Sequence, residues 1–160
     1  MIRAAEPGDA PAIAAIVCAV AAAGDTYALP RDLSPAAAEA FWIEPAPVRV
    51  LVAELDGRVV GTARYSPVRP AAGAHVATAS FMVDPSASGR GVGRALGEEV
   101  LRRAADEGYS AMQFNAVVET NAAAVALWES LGFRIMTTIP AAFDHPEHGL
   151  VGLHVMLREL

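Results

Sequence analysis

Phe81-Met-Val-Asp-Pro-Ser-Ala-Ser-Gly-Arg-Gly-Val-Gly-Arg-Ala-Leu96 decides how the rest of this chain is read. Ala77 to Val83 is apolar at most positions and Asp84-Pro85 stops the run, so a buried strand is expected. Gly89, Gly91 and Gly93 then strip side chains from three alternate positions, which lets another group touch the backbone. From Val92 the apolar residues Val92, Leu96 and Val100 recur at helical spacing, predicting a helix to about Glu107. A helix start leaves backbone N–H groups without partners and its dipole favours an anion there. Arg90 and Arg94 add positive charge at the same end, so the segment reads as a phosphate cradle.

The Walker pattern is absent, because no Gly-Lys-Ser/Thr follows. The dinucleotide fingerprint needs Gly where Arg94 stands, and only Gly91-x-Gly93-x-x-x-Gly97 remains of it. A dinucleotide domain also places its glycine loop after the first strand, whereas about half of this chain precedes Gly89. A nucleotide-dependent oxidoreductase therefore rests on the glycines alone.

Working outward, Ile2-Arg3-Ala4 reads as a strand, and a helix starts at Asp9 or Pro11 and ends at Gly24-Asp25. Ser34-Pro35 starts a second helix that carries Phe41 and Trp42. Arg49 to Glu54 and Arg58 to Tyr65 flank Asp56-Gly57, a hairpin signal, and His75 to Val83 completes an antiparallel meander. Ala111 to Val117 is a strand and Asn121 to Leu131 a helix with Val125, Trp128 and Leu131 on one stripe. Arg134 to Ile139 and Leu150 to Leu157 close the sheet around an irregular loop, Pro140 to Gly149. The expected fold is α/β (α+β): a mixed, mostly antiparallel sheet flanked by helices.

The chain's 160 residues, 54% hydrophobic and 19% charged, read as one globular domain over 1–160. A net charge of −6 argues against a nucleic-acid or anionic-membrane partner. No run is long enough to span a bilayer. Ala10 to Gly24 resembles a secretory leader only superficially, since Glu6, Pro7, Asp9 and Pro11 interrupt its flank. Cys18 is the one cysteine, which fits a reducing compartment, and a cytoplasmic location is expected. No His motif accompanies Cys18 to make it a nucleophile. His145 and His148 have a metal-compatible spacing without a committed ligand set, so no metal is expected and their loop is read as lining a substrate mouth.

Two motifs together point to a family. Ser88-Gly-Arg-Gly-Val-Gly93 resembles the Arg/Gln-x-x-Gly-x-Gly/Ala segment of the GCN5-related N-acetyltransferases (GNAT), with Ser88 where Arg or Gln is usual. Asn121-Ala-Ala-Ala-Val-Ala-Leu-Trp-Glu-Ser-Leu-Gly-Phe133 resembles that family's Asn-x-x-Ala-x-x-Leu-Tyr-x-x-x-Gly-Phe segment, at the usual distance. The resemblance implies acetyl-CoA as co-substrate and a central strand pair that splays to admit it. It implies pyrophosphate on the Gly89–Arg94 amides, pantetheine along the Phe81, Met82, Val83 edge, and cofactor contacts from Ser88, Val92, Asn121 and Trp128. The amide of Val83 would meet the oxyanion. Ala79 stands where some relatives carry Glu, and Trp128 where many carry the Tyr general acid. The catalytic groups therefore stay open, with Asn115 and Glu119 as candidates. Phe114-Asn115, Asn121 and Trp128 also resemble the L-azetidine-2-carboxylate (proline-analogue) acetyltransferases, which makes Asn115 a substrate candidate, while Thr26 and Tyr27 occupy the variable region that in the GNAT family usually walls the acceptor pocket. Trp42 lies in the same variable region, with core packing as its other reading. The expected acceptor is a small-molecule amine (an amino acid, an analogue or a toxic compound). A noncatalytic acyl-CoA-binding module is the alternative, and a homodimer is left open.

Overall fold

The computed structural model describes residues 1–160. Seven strands form one sheet: β1 (Ile2–Ala4), β2 (Arg49–Leu55), β3 (Arg58–Pro67), β4 (Val76–Val83), β5 (Ala111–Val118), β6 (Arg134–His145) and β7 (Gly149–Glu159). Their spatial order is β1-β2-β3-β4-β5-β7-β6. Every neighbouring pair is antiparallel except β4 with β5. The helices are α1 (Ala10–Ala23), α2 (Pro35–Trp42), α3 (Val92–Asp106) and α4 (Ala122–Ser130).

Period-two alternation sorts side chains between two cores, one on each face of the sheet. Leu51 and Ala53 of β2 join the core under α3 and α4, with Leu96, Val100, Met112, Phe114 and Trp128. Val52, between them, joins Ile13, Val17 and Trp42 under α1 and α2. β4 divides in the same way. Met82 enters the α1/α2 core, while Phe81 and Val83 pack toward the other. Trp42 is fully buried and its indole N–H donates to Thr62 Oγ1 at 2.9 Å, so it is a core residue and not a wall of the cleft.

The helix limits follow the sequence signals closely. Gly24 caps α1 in the left-handed region at φ 69°, and the Ser34 hydroxyl accepts from the Ala37 N–H to start α2. The C-terminal hairpin differs from expectation. Pro140 to Gly149 is not an irregular loop, because β6 runs on to His145 and pairs Phe143 with Val151 and His145 with Gly149. β6 is the edge of the sheet, where the missing N–H of Pro140 breaks no ladder bond, and the register shifts between Ile139 and Phe143 absorb the irregular backbone. His145 is consequently buried, its Nδ1 accepting from the Glu147 N–H, and the segment reaches the cleft through Phe143 rather than through its histidines.

Candidate active site

β4 and β5 pair only at Val76–Ala111 and Ala77–Met112 and then part. A cleft of about 690 Å³ opens between them, and most of its lining residues are hydrophobic. It is framed by the end of α1, the segment Asp25–Ala28, the second half of β4, the second half of β5 and the start of α4.

The backbone of β4 sets the chemistry of this opening. Asp84 N–H donates to Val60 C=O on β3 at 2.8 Å. Antiparallel rungs alternate, so Met82 also faces β3, while Ala79, Phe81 and Val83 turn their N–H and C=O groups into the cleft. Of the expected edge, Phe81 and Val83 therefore offer main-chain groups, and Met82 lines the cleft without offering its own amide. The N–H of Val83 donates to no protein group. Phe81 is different. Its N–H donates to Tyr27 Oη at 3.0 Å, and the Tyr27 hydroxyl donates to the Phe81 C=O at 2.9 Å. One phenol closes the rung that a neighbouring strand would otherwise fill. Burial pushes the Tyr27 phenol up, partly offset by its bond to Phe81, so it stays protonated at neutral pH.

The glycine loop lies at one end of this margin. Gly89 and Gly91 sit at φ 74° and 78°, a region an L side chain adopts at a cost, and a Cβ on either would meet nothing within 4 Å. Gly91 is the N-cap of α3 and supplies no side-chain cap. The N–H groups of Gly89, Gly91, Val92, Gly93 and Arg94 find no acceptor in the protein. Gly93 sits inside the first helical turn rather than in the bend. Ser88 lines the cleft. Arg90 and Arg94 stand exposed outside it, within 3.6 Å of Asp56 and Glu98 respectively. Five unpartnered amides at a helix start form an anion cradle whose charge comes mainly from the backbone.

β5 contributes through a bulge. Phe114 pairs with Met156 and Val117 with His154, so Asn115 and Ala116 together oppose Val155. The extra residue bends the strand and turns Asn115 toward the cleft, where its Oδ1 accepts from Gln113 Nε2. Asn121 caps α4 by accepting from the Ala124 N–H at 3.2 Å and also lines the cleft. Trp128 packs against Phe81 and Phe114 with centroid separations of 4.7 and 4.9 Å. Its edge lines the cleft, and its indole N–H has no protein acceptor.

Not every expected residue arrives. Glu119 is exposed, and its carboxylate accepts from the Gly152 N–H across the β5–β7 junction. It is absent from the cleft wall, so the geometry gives it a tie between strands rather than the position of a base. Thr26 and Tyr27 do line the cleft. No group of three His, Cys, Asp or Glu side chains is placed to hold a metal ion.

Residues 20–133 match the model of the Acetyltransferase (GNAT) family. The chain belongs to this family. A GCN5-related N-acetyltransferase from Kribbella flavida is 51% identical and superposes with a TM-score of 0.94, covering 100% of this chain and 97% of that one. A structure from Salmonella typhimurium, solved with its cofactor acetyl-CoA, is 26% identical with a TM-score of 0.85, covering 100% of this chain and 93% of its own. The L-2,4-diaminobutyric acid acetyltransferase of Nocardia farcinica is 31% identical over 134 residues, 84% of this chain and 64% of that protein. The chain spans less than two thirds of the length of the curated relatives it matches.

Within this GNAT fold several cleft residues carry no sequence motif. Thr78 and Ser80 look like ordinary strand residues, and Phe143 falls in what reads as a loop. Asp25 reads only as the end of a helix. Their common signal is topological. Each sits where an element abuts the β4–β5 opening, which becomes visible once the sheet order is known.

Proposed function

We propose that this GNAT protein transfers the acetyl group of acetyl-CoA to the amine of a small molecule. The observation that carries the reading is a pair of unpartnered backbone sites next to one another. One is the Val83 rung of β4, and the other is the set of amides of Gly89, Gly91, Val92, Gly93 and Arg94 at the start of α3. A diphosphate suits the helix-start amides, and the amides of a pantetheine arm suit the open strand margin as an added strand would. Asn121 and Trp128 border the same path.

Acetyl-CoA supplies a thioester as the reacting group. The chain holds it beside an acceptor, and much of the rate gain comes from that positioning. The neutral amine nitrogen forms the new C–N bond and loses one proton, the C–S bond breaks, and the sulfur leaves with the electron pair and takes up one proton as CoA thiol. The Val83 N–H faces the cleft and meets the oxyanion. Ala79 offers no carboxylate on β4, and the Trp128 indole is too weak an acid to protonate a thiolate. Of the groups that line the cleft, Asp25 is the one carboxylate and Tyr27 the one phenol. Asn115, turned inward by its bulge, is placed to hydrogen-bond the acceptor, in keeping with the resemblance to proline-analogue acetyltransferases.

The absence of the usual Glu and Tyr motivates one second reading, a noncatalytic acyl-CoA-binding module. Thiol release from acetyl-CoA, followed with a panel of small amines, decides between the two. Amine-dependent release with an acetylated product is expected. Tight CoA binding without turnover of any amine defeats the enzyme reading.

A further inference from the structure

The cleft is nearly uncharged. Of its 25 lining residues 17 are hydrophobic, and one, Asp25, carries a formal charge. No Arg, Lys or His lines it. Asp25 follows the Gly24 cap of α1 and is half-buried. Its carboxylate accepts no hydrogen bond from the protein and has no cation within 4.0 Å, although nine ion pairs form elsewhere in the molecule.

The position makes this more pointed. The last turns of α1, through Ala19, Val20 and Ala23, form part of the same wall. A helix C-terminus is the negative end of its dipole, where an acid is locally unfavourable and a cation is favoured. The nearest basic residue in sequence, Arg31, donates its Nε–H to the Ala22 C=O at 3.0 Å and does not line the cleft. That cation meets the helix end from outside, so on the cleft's surface the Asp25 carboxylate is the one formal charge and no side-chain cation stands beside it.

We propose that the acceptor is an apolar amine that carries no carboxylate, its ammonium drawn to Asp25 before the proton is lost. The inference rests on the acetyltransferase reading and narrows its substrate class. A free α-amino acid brings a carboxylate into a wall that has no cation to receive it, and an unpaired charge removed from water is strongly disfavoured. An alkyl- or aralkylamine matches both the hydrophobic lining and the single anion. This separates the chain from the amino-acid acceptors that the Asn115 and Asn121 resemblance suggests.

Matched pairs test it: 2-phenylethylamine against L-phenylalanine, and pyrrolidine against L-proline. Their affinities for the protein–CoA complex are measured by calorimetry, and acetyl transfer is measured in parallel. In each pair the carboxylate-free member is expected to bind at least tenfold tighter. Asp25→Asn should shrink that ratio below about threefold, Asp25→Glu should keep it, and neither should change the affinity for CoA. Equal or tighter binding of the amino acids, or a full preference surviving in D25N, overturns the proposal. Because binding and turnover are read separately, preferential binding without transfer would defeat the enzyme reading and leave this one standing. Transfer to the amino acids at equal kcat/KM would do the reverse.

Discussion

Just beyond Ser88 at the cleft's edge, the loop and helix start present the unpartnered amides of Gly89, Gly91, Val92, Gly93 and Arg94, while within the cleft Asp25, Tyr27, Asn115 and Phe143 present side chains. The first region comes from one continuous stretch of chain. The second is assembled from α1's exit, the β5 bulge and the C-terminal hairpin. A backbone site needs particular residue types in order, glycines above all, and so leaves a motif. A side-chain site needs only that distant positions converge, so it can be rebuilt for another acceptor while the first is kept. Under the proposed function, the loop would hold the co-substrate and the far wall would choose the acceptor.

Trp128 of α4 lines the same cleft, and its removal should have the largest effect. It is buried to 7% exposure among Phe81, Phe114 and Phe133. Trp128→Ala is expected to cost about 3–5 kcal/mol of stability, as for other large-to-small core changes. Denaturant melts check it, with Trp128→Phe expected to lose less than half as much. If Trp128→Ala leaves stability intact but abolishes transfer, the indole has a chemical role that its packing does not explain.

Next comes the backbone region. Gly91→Val forces a β-branched residue to φ 78° at the N-cap of α3, so the loop either bears the strain or changes its backbone angles. Where the free loop relaxes to relieve about 1–3 kcal/mol of strain, binding must restore the shape, which corresponds to roughly a 5- to 150-fold weaker hold on CoA, measured by calorimetry, with amine affinity little changed. Equal losses for both ligands would break the division between the two regions.

That division is also why the sequence was unevenly legible. The glycine spacing, the Asn121 cap, the Asp56-Gly57 hairpin and the Ser34-Pro35 start are local signals, and each stands where it was read. The β5 bulge that aims Asn115 exists only relative to Val155 on another strand. Pro140 argued against a strand, and only its edge position permits one. Glu119 looked available because nothing in the sequence says that Gly152 lies beside it. Trp42 showed its apolar character but not which side of Thr62 it would occupy. Tyr27 was identified as a cleft residue, but its two bonds to Phe81 span 54 positions and leave no trace in local pattern.

Tyr27→Phe tests where the two regions meet. It removes both bonds to Phe81, each worth about 1 kcal/mol net, so a stability loss of about 1–2 kcal/mol is expected. If the pantetheine arm extends to this rung it must displace the phenol, and CoA should then bind about two- to fivefold tighter to Y27F. An unchanged Kd would mean that the ligand stops at Val83 and that Tyr27 belongs wholly to the acceptor side.

The smallest effect is expected where a reader of the motif would look first. Arg94 sits in the first turn of α3 beside the cradle, but its side chain is 48% exposed, lies 3.6 Å from Glu98 and donates to Ser130 Oγ at 2.8 Å. An exposed cation contributes little through water, and salt screens it further. Arg94→Ala should weaken CoA binding only about two- to threefold near 0.15 M salt, where the screening length is about 8 Å, and hardly at all at 1 M, where it is about 3 Å. Amides fixed in the backbone are neither screened nor mobile to the same degree, so they dominate. A loss of fiftyfold or more in R94A, persisting at high salt, would show that a side chain rather than the main chain holds the anion. The contrast between the two regions would then disappear.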